Sequence, residues 1–162
     1  MRKRTVMHQL DSLLVDPAAV DTRFKFVVAL KAKLPPGVAA NAASHMCLAL
    51  TARAAVERPD LLADMSFLAY VDGDGGRHAP VSGLSLVVLE GRPAWLRKLR
   101  DEAAAAELLF TDFTGEMTGG DFADQLERMK ATSEESLDYY GVALFGPREL
   151  IDPLTKKFSL LR

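Results

Sequence analysis

The fold is decided by three consecutive segments: Phe24-Lys-Phe-Val-Val-Ala-Leu30, Leu34-Pro-Pro-Gly37, and the alanine-rich run from Ala39 to Val56. The first is an almost continuous apolar run with aromatic and β-branched residues, which is typical of a central strand covered on both faces. The two prolines of the second predict a turn. The alanines and leucines of the third predict a helix, which Pro59 ends. We therefore expect a strand–turn–helix unit.

Strands and helices alternate along the remainder of the chain. The sequence predicts strands over 67–71, 84–89, 108–113 and 140–145, and helices over 92–106, 121–130 and 149–155. Residues 156–162 are predicted to form a tail or an edge strand. This alternation favours an α/β domain with a mixed or parallel sheet and helices on both faces. We expect residues 1–22 to be an N-terminal appendage and residues 23–162 to be one domain.

Composition narrows the class of protein. Of the 162 residues, 20 are Lys or Arg and 22 are Asp or Glu, which gives a net charge of −2. Proteins that bind nucleic-acid backbones usually carry a basic excess, so the balance disfavours that class. Cys47 is the one cysteine of the chain, which excludes an intramolecular disulfide and favours inert packing. The sequence has no apolar run of membrane-spanning length, and we expect a cytoplasmic protein.

Several catalytic motifs are missing from the sequence. It has no glycine-rich phosphate loop with a lysine, no Gly-x-Ser-x-Gly and no His-Glu-x-x-His. These motifs carry nucleotide hydrolysis, α/β-hydrolase chemistry and zinc proteolysis. Their absence argues against those three classes, and we expect no resident cofactor.

The predicted helix after the first strand is apolar nearly all round, which predicts that it is buried. Its polar exceptions are Asn41, Ser44 and His45, whose spacing puts them on one side. Asn41 is expected in the first turn, where free N–H groups and the helix dipole favour an anion. His45 would then act as acid, base or hydrogen-bond donor. The alternative is that His45 satisfies a buried carbonyl and Asn41 caps a turn.

The segment from Asp72 to His78 holds two acids, three glycines and a histidine. It resembles a calcium loop but lacks the third acid and the distant Glu of such a loop. Glycine and aspartate are ordinary turn residues, so a turn is the favoured interpretation. Ligand binding by Asp72 and His78, or metal ligation by these two with Asp74, are the alternatives.

Asp112 and Thr114 come at the end of a predicted strand. Open α/β sheets bind ligands at the carboxyl ends of their strands, so both residues are candidates for a pocket. An Asx-type turn is the competing interpretation. Lys31 and Lys33, at the end of the first strand, would add positive charge beside it.

Two segments together resemble a known family. Lys25–Lys31 with Leu34-Pro-Pro-Gly37 and Ala39–His45 resembles the opening strand, loop and helix of type II peptidyl-tRNA hydrolases. The ending, Val142–Pro147 followed by Leu150–Leu161, resembles their closing strand, helix and tail. Over 23–162 the chain is also similar to the mostly bacterial domain of unknown function 2000 family.

The resemblance implies a mixed four-stranded sheet between helices and a pocket where the first helix meets the last strands. Asp112 resembles an aspartate of the hydrolases, and His45 matches a histidine of their first helix. Three other positions depart from the hydrolase pattern: a lysine is replaced by Val38, a glutamine by Ala42 and a threonine by Gly141. The segment 115–137 is also longer than its hydrolase counterpart, so we expect it to cover or reshape the pocket.

These observations lead to two functional hypotheses. The first is a diverged hydrolase acting on an acyl ester or a small aminoacyl-like ligand, with Asp112 orienting water and His45 relaying a proton. Its other pocket residues would be Gly37, Asn41, Asp72, His78 and Thr114. The second is a non-catalytic binding or interaction module. Candidate partners are a small-molecule or aminoacyl-like ligand and a second copy of the chain, whereas tRNA is disfavoured and no membrane or metal is expected.

Overall fold

The computed structural model describes residues 11–162. Its strands are β1 (Phe24–Lys31), β2 (Phe67–Val71), β3 (Arg77–Ser82), β4 (Leu86–Gly91), β5 (Leu109–Thr114), β6 (Tyr139–Pro147) and β7 (Ser159–Leu160). Its α-helices are α1 (Pro36–Glu57), α2 (Pro59–Asp64), α3 (Pro93–Ala105), α4 (Phe122–Ala131) and α5 (Arg148–Thr155). Within the described range, no helix is both long enough and apolar enough to cross a bilayer.

The central sheet is mixed and has the strand order β5-β6-β1-β4-β7. β1 is parallel to β4 and antiparallel to β6, and all six residues from 25 to 30 are buried. This confirms the prediction of a strand covered on both faces. The expected count of four strands is wrong by one, because the tail adds the two-residue strand β7 beside β4.

The predicted strand over 67–71 exists but lies outside the central sheet. β2 pairs with β3 in a separate antiparallel hairpin. The sequence analysis missed β3, since its Arg-His-Ala-Pro-Val-Ser sequence contains a proline and lacks the apolar alternation that marks strands. The turn between the two strands is the segment that begins at Asp72.

The sheet separates two hydrophobic layers. One layer packs the inner side of α1, with Met65 and Leu84, against Phe26, Val28 and other residues of one sheet face. The other packs α3 and α5 against the opposite face, where Val27 and Ala29 point. Residues of β1 thus alternate between the two layers, as the period of a strand requires.

α1 differs from its prediction in two respects. It begins at Pro36, three residues earlier than expected, because a proline suits the first helical position. It is also not buried all round. One stripe is buried, consisting of Ala39, Ala42, Met46, Leu50 and Ala54. Nothing in residues 11–162 covers the opposite side, where Leu48 is 70% exposed.

Both edges of the sheet are protected. At one edge, the Arg53 guanidinium donates a hydrogen bond to the backbone carbonyl of Phe110 in β5. The guanidinium carbons of Arg53 and Arg100 lie 5.6 and 5.9 Å from the centre of the Phe110 ring. At the other edge, β7 is two residues long. Blocked and very short edge strands are common devices against edge-to-edge pairing.

Residues 11–22 of the predicted appendage contact the domain. Leu14 forms a parallel bridge with Phe67, and the Asp16 side chain caps the short 3₁₀ turn Pro17–Ala19. Residues 1–10, which include the basic start of the chain, lie outside the described residues.

Candidate functional site

Three of the predicted site residues lie on the outer side of α1. Gly37, Asn41 and His45 are all exposed, and His45 lies on the flank of α1 that faces β5. The His45 ring stacks on Phe113 of β5, with centroids 5.5 Å apart and planes inclined by 21°. Because α1 begins at Pro36, Asn41 is its sixth residue and lies beyond the first turn. The expectation that Asn41 lines the anion-binding end of the helix is therefore wrong.

Asp112 lies on the other face of the sheet. Its neighbours Thr111 and Phe113 both face α1, since the Thr111 hydroxyl donates to the Met46 carbonyl (2.9 Å) and Phe113 contacts His45. Alternation along the strand directs Asp112 away from them. There the Arg100 guanidinium Nε donates to Asp112 Oδ2 at 3.3 Å.

The neighbourhood of Asp112 is a charged cluster that fixes α3 to the segment before β6. Arg97 of α3 donates to the carbonyls of Glu135 and Leu137 and to the Glu134 carboxylate. Burial, and secondarily the negative charge of Asp112, raises the pKa of the Tyr139 phenol. The charges of this cluster are satisfied by one another, which is the arrangement of a structural network.

Thr114 is 1% exposed, and its hydroxyl lies 3.5 Å from the Met129 sulfur of α4. α4 is held there by Arg128, which donates to the carbonyls of Thr118 and Gly119. The long segment 115–137 thus covers the end of β5. A ligand reaches the Thr114 hydroxyl only if α4 moves.

Asp72 and His78 lie in the exposed β2–β3 turn. The Asp72 carboxylate accepts hydrogen bonds from the backbone N–H groups of Gly76 (2.8 Å) and Asp74 (3.0 Å). These bonds hold the pKa of the Asp72 carboxyl below its ordinary value. His78 Nε2 lies 3.4 Å from the same carboxylate. This geometry is that of a turn, and among residues 11–162 no group of three or more acids, histidines or cysteines is placed to hold a metal.

The predicted site residues therefore occupy separate surfaces. His45, Asn41 and Gly37 are on the outside of α1, Asp112 is on the opposite side of the sheet, and Asp72 with His78 is at the hairpin tip. The single shared pocket expected from the sequence is wrong. The residues are separated because side chains alternate along β5, which puts Asp112 on the face of the sheet opposite His45.

Of the two lysines expected to add positive charge at the end of β1, Lys31 is neutralised and Lys33 is exposed. The Lys31 ammonium contacts both oxygens of the Asp138 carboxylate, at 2.7 and 2.8 Å, and lies 5.3 Å from the centre of the Tyr140 ring. Next to Tyr140 the pairing of β5 with β6 is irregular. Phe113 pairs with Gly141, but the following residue, Thr114, pairs with Tyr139. Tyr140 is thus the extra residue of a β-bulge, a feature that re-aims a side chain.

An apolar groove lies between α1 and the β2–β3 hairpin, with a volume of about 250 Å³. Its walls are Phe26, Cys47, Leu50, Thr51, Phe67, Val81, Ser82, Leu84 and Leu86. The polar members are already engaged, since the Thr51 hydroxyl donates to the Cys47 carbonyl and the Ser82 hydroxyl to the Met65 carbonyl. The groove therefore offers contact with apolar groups.

Sequence reasoning missed this groove because its walls come from α1, β1, β2, β3, β4 and the loop before β4. The one available signal was Cys47, whose neighbours suggested packing alone. The thiol is half-buried, and this burial raises its pKa. A thiol with a raised pKa is a poor nucleophile at neutral pH, so the groove is equipped to bind and not to attack.

A larger cleft of about 440 Å³ lies at the other end of β1, between Arg23 and Arg148. Asp21 neutralises Arg23 through a 2.6 Å ion pair. Arg148 donates to the Thr22 carbonyl (2.6 Å) and the Ser85 hydroxyl (3.2 Å). Both cations already have partners within the protein, and Glu149 is the remaining charged residue of the cleft lining.

The family model described as "Protein of unknown function (DUF2000)" matches residues 24–162, which include strands β1 to β7 and helices α1 to α5. The chain belongs to this family. The match agrees with the resemblance to the domain of unknown function 2000 family, and it assigns no activity.

This DUF2000 member also resembles a solved structure, that of Atu0240, a protein of unknown function from Agrobacterium tumefaciens strain C58. The TM-score is 0.71 with 21% sequence identity, and the alignment covers 86% of this chain and 98% of the other. At that identity the likeness concerns the fold alone. No curated protein matches the chain.

In this DUF2000 member, the presence of glycine at position 141, where the hydrolase pattern has threonine, has a structural reason. A Cβ atom at this glycine would lie 2.5 Å from the Met46 methyl group and 2.9 Å from the backbone oxygen of Ala29. The space that a threonine side chain would need is therefore occupied by α1 and β1. The departure from the hydrolase pattern at Gly141 is built into the packing of this domain.

Proposed function

We propose that this DUF2000 member is a binding protein for a small ligand with an apolar acyl or amino-acid side-chain group. The observation that carries the proposal is the groove between α1 and the β2–β3 hairpin. Its walls are apolar, and its hydroxyl groups already have partners within the protein. Ligand sites combine such apolar walls with a few polar groups that orient the ligand.

The size of the groove supports a partial fit to the ligand. Its volume of about 250 Å³ is just below the ~300–1,000 Å³ of typical ligand pockets. That volume accommodates a medium-length acyl chain or one large side chain, and leaves the polar remainder of the ligand outside the groove. Burying such a chain yields roughly 25 cal/mol per Å² of apolar surface.

The hydrolase hypothesis has less support. A general base and its partner must lie within hydrogen-bond reach of the same reacting group, but His45 and Asp112 face opposite sides of the sheet. The peptidyl-tRNA hydrolase II-like fold remains part of the proposal as the origin of the domain. It is supported by the strand–turn–helix from Phe24 and by the closing strand Val142–Pro147.

Cys47 provides a direct test in the unmodified chain, because it lines the groove and is the one thiol. Octanoate and N-acetyl-leucinamide are the probes, and alkylation of Cys47 by iodoacetamide is followed by mass spectrometry. We expect both probes to slow alkylation in a saturable manner, with acetate and acetamide as controls that do not. Equal alkylation rates with and without the probes would overturn the proposal.

Two matched variants locate the binding site. Thr51→Trp directs an indole at the groove, whereas Ala49→Trp adds the same indole on the opposite flank of α1, where residue 49 is also exposed. We expect Thr51→Trp to lower the octanoate affinity by about tenfold or more, measured by calorimetry, and Ala49→Trp to leave it unchanged. The reverse result would assign the binding site elsewhere.

The same preparations decide between binding and catalysis. N-acetyl-leucine methyl ester and peptidyl-tRNA are incubated with the wild type, His45→Ala and Asp112→Ala. Our proposal expects no turnover above background in any of the three. Turnover that either substitution abolishes would establish the hydrolase hypothesis in its place.

A further inference from the structure

The outer side of α1 is an exposed helix surface without charge. Among the 22 residues of α1, Arg53 and Glu57 are the only two that carry a full charge. They pair with each other at 2.7 Å, and Arg53 also reaches the Phe110 carbonyl at the sheet edge. Its charge is thus directed toward the edge and away from the outer side. Solvated helix faces normally carry charged residues, so this surface needs another explanation.

The residues along the outer side are small or medium-sized, with one exception at Leu48. Those that point directly outward are Asn41, Ser44, Leu48, Ala52 and Ala55, and all five are exposed. Their offsets from Leu48 are −7, −4, 0, +4 and +7. Leu48 is the one large residue of this set, and small residues flank it on either side.

We propose that this DUF2000 member forms a homodimer in which the outer sides of two α1 helices pack antiparallel across a two-fold axis at Leu48. In that register Leu48 meets its own copy, Ser44 lies opposite Ala52, and Asn41 lies opposite Ala55. Small residues at the four flanking contacts let the helices approach closely, within the 8–10 Å usual for packed helices. The surface is therefore complementary to itself, as an isologous interface requires.

A second copy fits this surface better than a charged partner does. Desolvating an uncharged face costs little, and interface cores are depleted in charged residues. A charged partner would find no counter-charge along the outer side of α1 from Asn41 to Ala52. When the partner is a second copy, both faces of the interface are uncharged, so neither side leaves a charge without a counter-charge.

The area required for a stable dimer includes the flank beside α1. The helix is about 33 Å long and 10 Å wide, which gives roughly 330 Å² in projection. Standard interfaces bury about 800 Å² on each partner. Across the groove the apolar surface continues to Val81 and Leu86, which are 55% and 51% exposed. An axis perpendicular to α1 keeps this flank on the same side in both copies, so the rims of the two grooves face each other and the grooves lie between the copies.

The test compares two exposed leucines in the full chain without added ligand. Leu48→Glu places a charge at the proposed axis, whereas Leu126→Glu places the same charge on α4, where Leu126 is 58% exposed. Analytical ultracentrifugation over a wide dilution range gives the dissociation constant. We expect Leu48→Glu to raise it by roughly a hundredfold and Leu126→Glu to leave it unchanged. Circular dichroism checks that both variants are folded.

Cross-linking tests the register independently. In a Cys47→Ser background, Leu48→Cys is expected to form a disulfide-linked dimer on mild oxidation, because residues on a two-fold axis meet their own copies. Leu126→Cys in the same background is the control and should stay unlinked. A monomeric wild type, or a dimer that survives Leu48→Glu, would overturn the inference. Neither readout uses the groove ligand, so failure of the proposed function leaves these outcomes unaffected.

Discussion

α1 and α3 cover opposite faces of the same sheet, yet their outer sides differ in chemistry. Each helix buries a stripe of alanine and leucine or methionine against β1 and its neighbours. α3 has five charged residues in a helix of 13. Arg97 and Arg100 contact the segment before β6 and Asp112, whereas the other three, which include the ion pair of Lys98 with Glu102, lie on its outer side. α1 has two charged residues in 22. The inner sides of both helices are apolar because both pack against the same sheet, whereas the outer sides differ in their number of charged residues.

The exposure of a helix face in a single chain therefore does not show whether that face contacts water or another molecule. The charges of α3 keep its outer side in water, as expected for a solvated helix. α1 has no such device, and we infer that a second copy supplies the missing cover.

The largest effect is expected from truncating the two inner sides. Leu50 of α1 is 2% exposed and Leu99 of α3 is 1% exposed. Replacing either by Ala removes buried methyl groups and leaves a cavity, which costs about 2–5 kcal/mol. Urea unfolding of Leu50→Ala and Leu99→Ala measures both losses. Similar losses would confirm that the layers are equivalent inside, and a negligible loss at Leu50 would show that α1 is not part of the core.

A smaller effect is expected where α1 crosses β6 most closely. Gly141→Ala forces a methyl group against Met46 and the Ala29 backbone oxygen. Overpacking of this kind costs about 1–3 kcal/mol, since the backbone cannot retreat as a flexible side chain can. Thermal and urea unfolding give the value, and Met46→Ala in the same chain is the matched test. If Gly141→Ala costs as much in the Met46→Ala background as in the wild type, the close contact is with the Ala29 backbone, and if it costs nothing there, the contact is with Met46.

The α3 layer contains a buried cation that the α1 layer lacks. Lys25 is 9% exposed and pairs with Asp152 of α5 at 2.5 Å. Asp152→Ala leaves the ammonium without its partner, and we expect a loss of about 1–2 kcal/mol. Lys25→Met removes the charge itself and should cost less, because replacing a buried charge by an apolar group of similar shape is often neutral. Equal losses in urea unfolding would contradict this order.

The smallest effect is expected at the hairpin tip of the α1 layer. Backbone N–H groups of Gly76 and Asp74 hold the pKa of Asp72 below its ordinary value. A lowered folded pKa means that the stabilisation is present above the unfolded pKa of about 3.9. It is lost as the pH falls through the folded pKa. An NMR titration of the Gly76 amide should therefore show a midpoint below 3.9, absent in Asp72→Asn. A midpoint at or above the ordinary value would refute the turn geometry.

The sequence predicts α1, α3, α4, α5 and most strands of this domain because each has a strong local pattern, whereas the six-residue helix α2 is not predicted. The run from Phe24 to Leu30 identifies the central strand, and Pro59 and Pro93 mark helix boundaries. β3 has no comparable pattern and is recognisable only by its pairing with β2. The first helix is predicted correctly, but its burial is not. Alanine-rich composition indicates apolar surface without saying which molecule covers it.

The candidate site is less predictable than the fold. Asp112 and His45 each occupy a plausible position, but their mutual orientation depends on which side of β5 faces α1. Sequence spacing within one element gives that orientation, whereas spacing between two elements does not. The alternation of Thr111, Asp112 and Phe113 shows that neighbours face opposite layers. The contact of Thr111 with α1 shows that Thr111 and Phe113 face the α1 layer and that Asp112 faces the α3 layer.

The edge contact of Arg53 with the Phe110 carbonyl has a consequence for how the chain can aggregate. A sheet grows by adding strands, and each addition needs free backbone groups along an edge. One arginine occupies a carbonyl of β5, and β7 offers only two residues at the far side. Filament growth by strand addition is thus discouraged at both ends. The proposed dimer associates through a helix surface instead, and a closed two-fold pair has no site for a third copy on that surface.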